Sequence, residues 1–144
     1  MKQEEFVKAI AYLGMAYNKE YSQAETMQMY EFLKEYNYET FTKAIKNIIK
    51  TSKFVPKIAD LIEESERQKE TKRIEVIEYM RKSGYFNTSP YGDIDEYQAS
   101  LNYNKTIMWL EQGTVPSWLQ EDINRYYRKM DKVQLQHEQN NLLT

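Results

Sequence analysis

Apolar side chains recur at every third or fourth position through six segments of this 144-residue chain, and no segment alternates apolar with polar. That period belongs to amphipathic helices, so the expected fold class is all-α. Only four Gly and three Pro interrupt it, and they fall where helices should end. Phe6, Ala9, Ile10, Leu13, Ala16 and Tyr17 form the first stripe. Ser22 with Glu25 three residues on reads as a capping box opening a second helix, whose stripe is Met29, Phe32, Leu33 and Tyr36. Phe41, Ala44, Ile45, Ile48 and Ile49 make the third. It stops before Thr51–Val55, and Pro56 suits the first turn of a fourth, where a missing N–H is no loss.

The fourth helix carries Ile58, Leu61 and Ile62 near its start and Ile74, Ile77 and Met80 near its end. Between them ESERQKETKR has no apolar residue, which fits a solvent-bridging helix or a break between packing units. Charges of both signs at helical spacing favour the continuous helix. The segment Gly84–Gly92 reads as a loop and a unit boundary. Asp93 with Glu96 is expected to start a fifth helix that Gly113 ends, and Pro116 to begin a sixth. Leu119, Ile123, Tyr126, Met130 and Val133 are spaced 4-3-4-3, as in a coiled-coil seam. The expected organisation is thus two helical units, 1–82 and a hairpin over 93–133, followed by a flexible Gln/Asn-rich tail, 134–144.

Function classes narrow by what is missing. Cysteine is absent, which removes disulfides, thiolate chemistry and most structural zinc sites. No apolar run approaches the roughly 20 residues of a membrane span, and the N-terminus has no signal-peptide core, so a cytoplasmic protein is expected. There is no G-x-x-x-x-G-K-[ST] phosphate cradle. His137 stands without a nucleophile of recognisable context, and Glu63, Glu64 and Glu66 read as a solvated face. No catalytic, cofactor-binding or metal-binding residue is expected, and the chain should act by binding macromolecules. Its net charge of −2, from 20 basic and 22 acidic side chains, implies weak or no direct DNA binding.

Three features could carry binding. Thr40–Ala59 holds Lys43, Lys46, Lys50, Lys53 and Lys57 with no acidic residue, either a solvated face or a basic patch for an acidic partner or phosphates. On the last helix Trp118, Arg125, Lys129 and Lys132 share a face away from the seam. Trp beside Arg is hot-spot composition, although Trp118 could instead fold back over Thr114–Pro116. Ile107-Met108-Trp109-Leu110 covers every side of a helix, as core or as an exposed patch.

The stretch ETMQMYEFLKEYNYETF, then a lysine-bearing helix, then FVPKIADLIE, resembles the helicase loader-inhibitor family of phages of Gram-positive bacteria. The matching positions are Tyr30, Leu33, Tyr36, Tyr38, Pro56, Ile58, Ala59 and Leu61, and the likeness covers about residues 3–65. The resemblance implies a small helical adaptor without ATPase activity. Such a protein binds a replicative DNA helicase, restrains it, and delivers it to an origin-binding initiator. In that family the C-terminal portion is often flexible and engages the helicase. Here residues 93–133 are patterned as helices, a departure from that plan.

Overall fold

The computed structural model describes residues 1–86 and 94–142. Among them are six α-helices and no strand: α1 (Gln3–Tyr17), α2 (Gln23–Leu33), α3 (Tyr38–Thr51), α4 (Ile58–Lys82), α5 (Glu96–Gln112) and α6 (Ser117–Leu142). The all-α expectation holds. The chain divides into two compact units, 1–72 and 73–144, so the division falls inside α4. Of the loop expected over 84–92, and of its helix start at Asp93, residues 87–93 lie outside the described residues.

In the first unit, α1 packs on both α2 and α3. Phe6, Ile10, Leu13, Leu33, Phe41, Ile45 and Leu61 are buried in one cluster, with Phe6 stacked on Phe41 at 5.4 Å between ring centroids. The helix ends follow local chemistry. Ser22 Oγ accepts from the Glu25 N–H while Glu25 accepts from the Ser22 N–H, which is the reciprocal box read from the sequence. Asn37 Oδ1 caps α3 through the Thr40 N–H at 2.8 Å. Asn18 ends α1 in the left-handed region, and Gly14 lies so close to the returning chain that a methyl group there would collide with the Lys19 carbonyl oxygen.

Two expected core positions point outward instead: Ala16 and Phe32 are exposed. At 100° per residue each lies about 90° from the centre of its helix's buried arc, at the edge of the stripe. Glu64 and Ser65, placed in the polar stretch, are buried. Glu64 accepts from Asn47 Nδ2 at 2.6 Å and Gln68 Nε2 at 3.0 Å and pairs with Arg67 at 2.6 Å. It is a buried tie between α3 and α4 rather than part of a solvated face.

The second unit has its own cluster of Val76, Met80, Leu119 and Ile123, with Tyr79, Trp109, Leu110, Val115 and Tyr127 packed against it. Val76 takes the place expected for Ile74, which is exposed; Val76 and Met80 stand four apart on one row. Asp95 caps α5 by accepting from the Gln98 N–H at 2.7 Å, and Gly113 ends the helix in the left-handed region. Trp109 and Leu110 pack on the core while Met108 is exposed, so the 107–110 run divides between the two expectations.

Candidate partner-binding surfaces

The sixth helix changes character along its length. Leu119 and Ile123 are buried and Tyr126 is half-buried against Tyr79, at 5.6 Å between centroids. Beyond Tyr127 every side chain described is exposed, Met130 at 48% and Val133 at 65% among them. The expected 4-3-4-3 seam therefore serves the core only in its first half. Past that point no described residue of the unit covers it. The helix also runs to Leu142, through the stretch expected to fray.

Trp118, Arg125, Lys129 and Lys132 project within about 60° of one another at 100° per residue. All four are exposed; Trp118 keeps 49% of its surface open and is not among the side chains packed on the core cluster. Arg125 lies 3.8 Å from Asp122, a contact on the solvent side that leaves most of the guanidinium open. The four form one exposed face with a ring at one end and cations beyond it. His137 is exposed further along the helix.

The lysine patch is less uniform than its sequence. Lys43 pairs with Glu39 at 3.1 Å, and Glu39 also takes Lys72 at 3.3 Å. Burial pushes the Glu39 carboxyl upward, but the Lys72 and Lys43 ammonium groups outweigh it and hold the group below its ordinary value. Lys43 thus shares one carboxylate with Lys72. Lys46, Lys50, Lys53 and Lys57 are exposed and, among the described residues, make no ion pair.

Between α3 and α4 the chain makes a tight turn. Tyr17 Oη donates to the Ile48 and Ser52 carbonyls at 3.2 and 2.9 Å, and Ser52 Oγ bonds both the Phe54 N–H and its carbonyl. Pro56 is buried behind the turn, and Asp60 accepts from the Lys57 N–H at 2.9 Å. Phe54, held between these anchors, is 81% exposed.

Tyr30, Leu33 and Leu61 lie in or on the first core, and Pro56 is buried at the α3–α4 turn. Residues 1–62 match the N-terminal domain of the phage helicase loader-inhibitor family. No curated protein and no solved structure matches the chain. The loader-inhibitor match covers α1, α2, α3 and the start of α4, and stops short of the face on α6. Within the matched span, sequence reasoning gave Phe54 no role. The signal available was a bulky apolar residue outside any helical period, between Lys53 and a proline that anchors the turn.

Proposed function

We propose that this protein is a non-enzymatic DNA-replication adaptor that binds a ring-shaped replicative helicase, restrains it, and helps load it at an origin in the cytoplasm of the host cell. The observation that carries this is the loader-inhibitor match over residues 1–62. The absence of a phosphate cradle in the sequence favours stoichiometric binding over nucleotide-driven loading. Among the described residues no helix is long and apolar enough to cross a membrane. An origin-binding initiator is the second expected partner.

The helicase contact is assigned to the α6 face of Trp118, Arg125, Lys129 and Lys132. A helix whose second half has no neighbour among the described residues of its own unit suits helix-in-groove recognition, with an aromatic anchor and cations placed to meet an acidic groove. Calorimetric titration against the candidate helicase tests it. Trp118→Ala or Arg125→Ala should weaken binding by about 2 kcal/mol, roughly thirtyfold. Their melting temperatures should match the parent, whereas Leu119→Ala should lower stability by about 2–5 kcal/mol. If Trp118→Ala melts like Leu119→Ala, Trp118 is core and the assignment is wrong. If it folds and binds like the parent, the helicase contact lies off this face.

A further inference from the structure

We infer that the α3–α4 turn is a binding site for single-stranded nucleic acid, with Phe54 as a stacking platform and Lys46, Lys50, Lys53 and Lys57 as phosphate contacts. This stands apart from the helicase reading, since it uses different residues in a different unit.

The turn is built rather than slack. Its backbone is tied to α1 through the Tyr17 hydroxyl, closed on itself by Ser52 Oγ, and backed by buried Pro56. A ring 81% exposed on such a turn is held out at little further cost in ordering when a base stacks on it. No core residue needs it, because Phe54 belongs to neither apolar cluster.

Charge then selects the ligand. Lys46 and Lys50 are one turn apart on the side of α3 opposite Phe41, Ile45 and Ile48; Lys53 and Lys57 bracket the ring in sequence. None of the four makes an ion pair among the described residues, in contrast to Lys43. A cavity of about 310 Å³ beside the ring is lined by Ile48 and Thr51 of α3, by Phe54, and by Asp60, Glu63 and Arg67. The Asp60 carboxylate is engaged by the Lys57 N–H, and Glu63 is exposed. The uncompensated lysines of α3 and the turn are therefore the charges that would meet the phosphates of a strand stacked on Phe54. A duplex keeps its bases stacked inside and offers the ring no face, so a single strand is the better fit. The whole-chain charge of −2 weakens long-range attraction of a polyanion but does not cancel a local patch.

The experiment is a fluorescence anisotropy titration of a labelled oligothymidylate with the intact protein at about 50 mM salt. Saturable micromolar binding is expected, and weaker binding of a duplex of equal length. With four phosphate contacts, raising salt to about 200 mM should weaken it about fiftyfold. Phe54→Ala should weaken binding roughly tenfold without changing the melting temperature, Phe54→Trp should restore it, and the pair Lys50→Glu with Lys53→Glu should abolish it. Three outcomes overturn the proposal. One is no binding at the lower salt. The second is binding that Phe54→Ala leaves intact. The third is a polyglutamate peptide competing as well per charge as the oligonucleotide, which would mark the surface as one for acidic protein segments.

Discussion

Ser65 is fully enclosed on α4, and its hydroxyl finds no hydrogen-bond partner among the described residues. A buried polar group left unmade is a cost of about 1–3 kcal/mol, so Ser65→Ala should stabilise the first unit by about 1 kcal/mol, measurable as a higher denaturant midpoint. Tyr36 is the opposite case: its hydroxyl donates to Glu66 at 2.6 Å. Burial first, and then that carboxylate, push the phenol above its ordinary value of 10.0. The stability this lends is complete below that pH and drains away as pH climbs toward the raised value. Tyr36→Phe should therefore cost about 1 kcal/mol at neutral pH and flatten the alkaline limb of stability against pH, read by circular dichroism. Single residues were unevenly legible. The Ser22–Glu25 box shows in the sequence because its chemistry is local. The burial of Glu64 does not, because its partner Asn47 lies seventeen positions away on another helix.

The six helices themselves were readable, since a 3.6-residue period persists whatever the helix packs against. Which row of a helix faces inward was not always readable. α4 offers Ile74, Val76 and Ile77 within four positions, and period alone cannot choose Val76 over Ile74. The α6 seam shows the same limit in a second form: a repeat can continue in sequence after the neighbour it would pack against has ended. Phe54 was invisible to any such count, because turns carry no period. Tyr127 is the last α6 side chain packed on the second core, so ending the chain after Arg128 should leave its thermal melt nearly unchanged. The same truncation removes Lys129 and Lys132 and should weaken helicase binding, and that split between folding and binding is the check. A large drop in melting temperature would show that the exposed half supports the fold.

Two apolar clusters, each complete within its own unit, define the molecule as a whole. Every buried member of the first lies between Phe6 and Leu61, so residues 1–72 expressed alone should fold as a cooperative helical domain with a sigmoidal melt. A non-cooperative melt would show that the first core depends on the second unit. The surface stretch Glu66–Arg73 of α4, which contributes to neither cluster, has a meaning for how such genes change. Recombination within its codons would leave both apolar clusters intact and touch only the polar ties of Glu64 to Arg67 and Gln68, Tyr36 to Glu66 and Glu39 to Lys72. A first unit of this kind can then be joined to unrelated second units at a cost limited to those polar ties. The family match ends at residue 62, four residues before that stretch.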